Sequence, residues 1–425
     1  MNLLKDQRGA ACSGASRSAI GLYDRALAEF QCYRFDPVST VKQALAESPQ
    51  FTMAHLLHAY LHLTGTEPPA LEVARASIER AKQLPASQRE RRHIAAAESL
   101  VAGEYARACD RLEDVLLEDP RDALALQVAH LFDFFRGDAR SLRDRPARVL
   151  AQWSNDVPGY HAVLGMQAFG LEECGDYQRA EDRARRALEL EPFDGWAHHA
   201  IAHCYEMQGR RVDGLRLMAE REQYWTADSF FALHNWWHRA LYHLGLEQIE
   251  RVLALYDERI RANRSQVVLE LIDASAMLWR LMLRGVDVGA RWQELADAWQ
   301  PMVQDSFYAF NDLHALMAFV GAERWPQVDA RIAALEAWLG RNGSNGAMTR
   351  EVGLPLALGF AAFGRGRYAE AAERLRPVRA LAYRFGGSHA QRDIVDLTLL
   401  EAARRGGNAV LARALESERV FRLAA

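Results

Sequence analysis

Histidines one helical turn apart carry the chemistry in this chain. His199 and His203 are four residues apart, with Trp196 before them and Glu206 after, and His234 and His238 repeat the spacing beside Trp236, Trp237 and His243. Residues at i and i+4 share a helix face, so each pair can aim both imidazoles at one point. A neutral imidazole donates through one ring nitrogen and accepts through the other. It is also a common ligand for divalent metals. A neighbouring carboxylate orients the ring or completes a metal set, and Glu172, Glu173, Asp273 and Asp312 supply such groups. The segment FNDLH (310–314) adds Asn311 and His314.

Three readings of this set compete. In the leading one the pocket is metal-free and binds a small polar molecule. His199, His203, Glu206, His234, His238, Asp312 and His314 then act as general acids and bases, with Trp196, Glu172, Trp237, Asn311 and Asp273 as contacts. Hydrolysis or proton transfer is the simplest reaction of that kind. In the second, a divalent metal sits on His199, His203, His234 and His238, with Glu206 or Asp312 completing the set. That reading lacks an HExxH helix, because Ala200 and Ile201 follow His199. In the third, the histidines are structural; this fits the lone cases His55, His58, His93 and His130, and His243 on the far side of its helix. A separate candidate is FGGSHAQRD (385–393). A Gly-Gly turn opening a helix offers backbone N–H groups to an anion, and His389, Gln391 and Arg392 stand beside it. The plainer reading of its glycines and serine is a helix end followed by the N-cap Ser388. No GxSxG, phosphate-binding or dinucleotide loop is present. Cys204 and His203 are helix neighbours pointing about 100° apart, which excludes a dyad.

The elements that position these groups are helices in pairs, repeating about every 34 residues, the period of a tetratricopeptide (TPR) array. Residues 161–194 show it most cleanly: Gly175, Tyr177, Ala180, Ala184, Ala187 and Pro192 fall on the small, aromatic and breaker positions. Units also read over 18–50, 51–85, 89–120 and 123–156; the turns drift over 229–340, and Gly366, Tyr368, Ala371, Ala372 and Leu375 restore the pattern. In this register the second, fifth, ninth and twelfth residues of a first helix face the concave groove. For the unit beginning at Gly195 these are Trp196, His199, His203 and Glu206; His55 and His93 take the fifth position in earlier units. GRNGSNG (340–346) reads as the best loop. The expectation is an all-α fold, a right-handed TPR-like superhelix (α-solenoid) of about ten helix pairs. Residues 1–17 are expected to be a loose segment and 18–425 one domain, with helices after Gly386 capping the array.

Net charge is −4 with no basic stripe, which argues against nucleic acid. Lysine occurs only at 5, 42 and 82 among many arginines, the codon bias of a GC-rich bacterial genome. Five scattered cysteines without CxxC spacing suit a reducing compartment. No signal peptide or membrane-length apolar run is seen, so a cytoplasmic location and no membrane partner are expected. The expected partner is a small molecule or a peptide in the concave groove. A peptide- or protein-binding adaptor is the alternative that architecture alone suggests, and exposed solenoid edges are compatible with a homodimer.

The stretches GMQAFGLEE (165–173), HAIAHCYEMQGR (199–210), HNWWH (234–238), DASAMLWR (273–280), FNDLH (310–314) and GGSHAQRD (386–393) occur in an order and spacing that resemble the tetratricopeptide repeat protein 38 family. The resemblance spans about residues 90–400. It implies a helical-repeat fold and no particular reaction. Its motifs largely coincide with the polar positions found from the repeat register.

Overall fold

The computed structural model describes residues 4–424, with side chains to Phe421. Among these, regular structure is helical apart from a small antiparallel hairpin of Leu4–Lys5 (β1) and Ala11–Cys12 (β2) and an isolated bridge between Arg34 and Ser229. Helix–turn–helix pairs follow one another in solenoid fashion, and the chain divides into two compact units.

The first unit comprises Met1–Cys204 and Glu220–Ala232. Its pairs are α1/α2 (Arg17–Cys32, Pro37–Glu47), α3/α4 (Thr52–Leu63, Pro68–Lys82), α5/α6 (Gln88–Val101, Tyr105–Glu118), α7/α8 (Ala123–Phe135, Ala139–Val149) and α9/α10 (Tyr160–Glu173, Tyr177–Leu190). Most of α11 (Gly195–Met207) belongs here too. The second unit comprises Tyr205–Ala219, which holds most of α12 (Arg211–Glu220), and Leu233–Ala425. The short α13 (Glu222–Thr226) lies in the first unit. The second continues with α14/α15 (Ala232–Gly245, Ile249–Leu255), α16/α17 (Val268–Leu283, Arg291–Trp299) and α18/α19 (Ala309–Gly321, Trp325–Glu336). It ends with α20 (Gly343–Met348) leading into α21/α22 (Leu354–Gly364, Tyr368–Val378), then α23/α24 (His389–Arg405, Ala409–Ala424).

The two helices of a pair have different patterns, and this decides where polar groups end up. In α10 the buried residues Ala180, Ala184, Ala187 and Leu188 form one stripe, while Arg179, Arg183 and Arg186 face solvent or its edge. By contrast α9 is buried all the way from Ala162 to Glu173. A carboxylate on such a first helix has no solvent side to turn to. The turn between the two is closed by Gly175 at φ 80°, with Asp176 N donating to Leu171 O at 2.9 Å, a left-handed C-terminal stop. The same turn recurs after α18, where Arg324 N reaches Phe319 O at 2.8 Å but Glu323 takes the left-handed position at φ 57°.

Two segments depart from the sequence expectation. Residues 4–16, read as loose, are tied down: Ser13 donates through N and Oγ to the buried Glu90 carboxylate at 2.9 and 2.6 Å, and Arg89 Nη2 donates to Ala11 O at 2.9 Å. Polar groups here pair with the buried Glu90 of α5 rather than with solvent. GRNGSNG, read as a loop, contributes Gly343–Gly346 to α20. Its residues are there for close packing: a Cβ on Gly346 would stand 2.1 Å from Arg341 O, and Asn345 Nδ2 donates to Phe307 O at 2.7 Å.

The first unit also joins its own beginning to its end. Tyr33 stacks on Trp196 (centroids 5.4 Å, 15°), its carbonyl accepts from Phe230 N at 3.1 Å, and Arg34 Nε donates to Ala227 O at 2.9 Å. All five cysteines are free thiols, and no helix among the described residues is long and apolar enough to cross a membrane.

Candidate functional site

In the first unit the groove-facing register places Trp196, His199 and His203 on one face of α11, all buried. The sequence begins that helix with Asp194, which accepts from Ala197 N at 2.9 Å and from His161 Nδ1 at 2.8 Å, an N-cap held by a second partner. His199 sits in an aromatic box: Phe169 stacks on it at 5.3 Å, with Trp196 at 4.8 Å and Phe231 at 5.1 Å. Its Nε2 lies 2.8 Å from His203 Nε2, and His203 Nδ1 lies 3.8 Å from Glu172 Oε2. Glu172, His203 and His199 thus run in series. Glu172 and Glu173 are both buried, and each of Glu172, Glu173 and His203 offers a ligand atom within 4.8 Å of the others. Two carboxylates and an imidazole at this spacing suit a proton shared along the series or a divalent cation between them. Behind the box, Trp196 Nε1 donates to His130 Nε2 at 3.2 Å. Burial holds His130 down at about 3, with Arg145 adding to it, so it stays neutral as an acceptor.

In the second unit α14 carries His234 and His238, buried and edge-on to each other at 4.9 Å. His234 Nδ1 is 2.7 Å from Asp273 Oδ2 on α16. That bond fixes the Nδ1–H tautomer and makes Nε2 the basic nitrogen. Trp237 stacks flat on His234 (5.4 Å, 12°), and the Arg280 guanidinium lies 5.3 Å from the Trp237 ring centroid. Arg280 is a buried charged residue that the sequence reading did not single out. Its signal was present: it stands seven residues after Asp273 in DASAMLWR, two turns along the same face. Glu206 belongs to this unit and lines a cavity of about 300 Å³ with Arg211, Arg280, His389, Arg392 and Asp393 among others. Burial raises the Glu206 carboxyl, while Arg211 opposes the shift.

Other expected groups have structural partners. Asp312 does not orient a histidine: its carboxylate accepts from Arg331 Nη1 at 2.8 Å and from Ser306 Oγ at 2.8 Å, and burial lifts it to about 6. His314, two residues on and so on the other side of α18, has Nδ1 2.7 Å from Phe310 O, and burial takes it down to about 4. Asn311 lies on the same turn and is half-buried. Gln391 is a capping residue, its Oε1 accepting from Ser388 N at 3.0 Å while Ser388 Oγ accepts from Gln391 N at 3.3 Å. His93 is held by Asp122 at 3.0 Å, His58 by Ser77 at 2.8 Å and His55 by Pro49 O at 3.0 Å.

No protein-family model matches the chain. Among solved structures it is similar to a human IFIT1 dimer with m7Gppp-AAAA, at 14% identity over 100% of this chain and 96% of that one, TM-score 0.42. It is also similar to the APC/C hetero-tetramer Cut9-Hcn1, at 12% identity over 91% and 77%, TM-score 0.41. A third likeness is to the P58(IPK) TPR domain, at 15% identity over 92% and 98%, TM-score 0.22. The class that fold and side chains define is an α-solenoid of TPR-like helix pairs with buried His/carboxylate clusters.

Proposed function

We propose that this is a ligand-binding helical-repeat protein of the tetratricopeptide repeat protein 38 family, working in a reducing, cytoplasmic compartment, whose first unit holds a divalent cation. The observation that carries the reading is the convergence of Glu172, Glu173 and His203 ligand atoms within 4.8 Å inside buried structure. His199 is one hydrogen bond further out, as a second support or a fourth donor. Two carboxylates with imidazole favour a borderline or hard ion such as Zn²⁺ or Mn²⁺ over a thiolate-seeking one. With an open position, such an ion would polarise a bound polar substrate or lower the pKa of a water.

The test is elemental analysis of untagged protein, then thermal melting of chelator-treated protein with Zn²⁺ and Mn²⁺. Stoichiometric metal and a saturable rise in Tm are expected, and both should be lost in Glu172→Gln/Glu173→Gln and in His203→Ala. Metal-free protein whose melting neither ion moves refutes the reading.

A metal-free acid–base centre is the second reading, and the His234–Asp273 contact of 2.7 Å favours it. A carboxylate-oriented imidazole is the usual arrangement of a general base. On this reading Asp273→Asn keeps the fold but flips the tautomer, so ligand-dependent proton uptake measured by calorimetry in buffers of different ionisation enthalpy should disappear.

A further inference from the structure

We propose that the second unit binds a small organic carboxylate, with an apolar body and a hydrogen-bond donor next to the carboxylate, in the cavity between α12, α16 and the start of α23. The cavity, about 300 Å³, is lined by five arginines against three carboxylates. Two of those carboxylates are already matched. Asp393 is held by Arg419 at 2.5 and 3.0 Å, and Asp396 by Arg379 at 2.7 Å.

Arg280 is the uncompensated charge. It is 4% exposed, and its guanidinium donates to neutral carbonyls only: Ala276 O at 3.1 Å, Ala390 O at 2.6 Å and Gln391 O at 3.4 Å. No carboxylate among the described residues comes within ion-pair distance of it. Burial draws Arg280 down to about 10, against Asp393 and Glu206, which hold it up. An arginine stays protonated even so. A buried guanidinium without a counter-ion is strongly unfavourable, and a bound anion would offset that. Arg211 repeats the situation at the cavity edge, its Nε enclosed without a hydrogen-bond partner.

The other walls select the anion. Glu206 Oε2 is enclosed without a partner in the same cavity, so a dianionic phosphate would face a like charge, whereas an α-hydroxyl or α-ammonium would meet an acceptor. Met207, Leu241 and Val395 supply apolar surface for a carbon body. This inference does not rest on the cation site of the first unit, and chelation should leave it unchanged.

Calorimetric titration of the full-length protein with L-phenyllactate, L-phenylalanine and inorganic phosphate tests it. Saturable binding of the two carboxylates, tighter than phosphate, is expected. Arg211→Ala and Arg280→Met should each weaken it by at least about tenfold, the loss of one charge-assisted contact. Arg324→Ala, which removes a half-buried partner of the exposed Asp297, should not. Arg280→Met removes a buried charge and should stay folded by circular dichroism; the half-buried Arg211 keeps the test open if it does not. Phosphate binding tighter than both carboxylates, no saturable binding, or unchanged binding in Arg211→Ala and folded Arg280→Met each overturns the proposal.

Discussion

Two glycines in α9, five residues apart, should respond to alanine with opposite signs. A Cβ on Gly170 would stand 2.3 Å from the carbonyl carbon and oxygen of Leu142 and from Arg143 N, all backbone atoms of α8. Ordinary contact begins near 3.5 Å, so α8 and α9 must part by about 1 Å. Overpacking of that kind costs about 1–3 kcal/mol, offset by about 1 kcal/mol from the better helix propensity of alanine. A Cβ on Gly165 meets nothing closer than Asp194 Oδ2 at 3.4 Å, so Gly165→Ala keeps most of the propensity gain. Urea unfolding of the two variants should separate them by roughly 1–3 kcal/mol, Gly165→Ala being the more stable. Gly170 is also two and three residues before Glu172 and Glu173. The displacement therefore reaches the proposed cation site, and Gly170→Ala should weaken Zn²⁺- or Mn²⁺-induced stabilisation where Gly165→Ala does not. Equal stability of the two variants would refute the helix approach on which the argument rests.

Further outcomes follow from other contacts. Glu323 occupies a left-handed turn position at φ 57°; Glu323→Gly should raise stability by about 0.5–1 kcal/mol, the steric cost less the entropy of glycine, read from the urea midpoint. Although burial pushes Asp122 up, the His93 and Arg89 charges hold it well below the usual carboxylate range. A depressed folded-state pKa gives stability that is complete above the unfolded value near 4 and is lost as pH falls below it. Wild-type protein should therefore lose stability between about pH 5 and 2, and Asp122→Asn, about 3–5 kcal/mol less stable at neutral pH, should show a flatter acid limb. Burial raises Asp312 to about 6, so its contribution has the opposite sign. Stability should fall as pH rises from about 4 to 6, and Asp312→Asn should remove that slope in a pH series of thermal melts.

Much of the helical architecture was legible because a solenoid repeats its punctuation: Gly175, Tyr177 and Ala180 mark a turn and a packed face wherever they recur. The groove register also placed Trp196, His199 and His203 on one buried face. What sequence did not show were partners arriving from a different helix. Asp312 was read as an acid–base group or as a carboxylate completing a histidine set, yet its partner Arg331 comes from α19. Asp273 and His234 were both singled out, but their contact depends on how α14 meets α16, which no spacing encodes. Arg280 was overlooked because an arginine beside a tryptophan in an Arg-rich chain resembles a surface residue; its place two turns after Asp273 on one face was a weak signal that its burial makes plain. Gln391 was read as standing beside an anion site, whereas the structure uses it in the capping box with Ser388, the role its Ser-x-x-Gln spacing permits.

The clasp at Tyr33 bears on how the first unit comes apart. An open array frays from its termini, each repeat answering only to its neighbours. Here hydrogen bonds from Arg34 and to Tyr33 span 193 and 196 positions of chain, so the outermost helix is no longer an end. Detaching it means breaking a joint with Trp196, the residue that roofs His199, and peeling of α1 would expose the aromatic box at once. Unfolding of this half should accordingly run as one event, and binding within the box should tighten a seam whose halves are nearly two hundred residues apart.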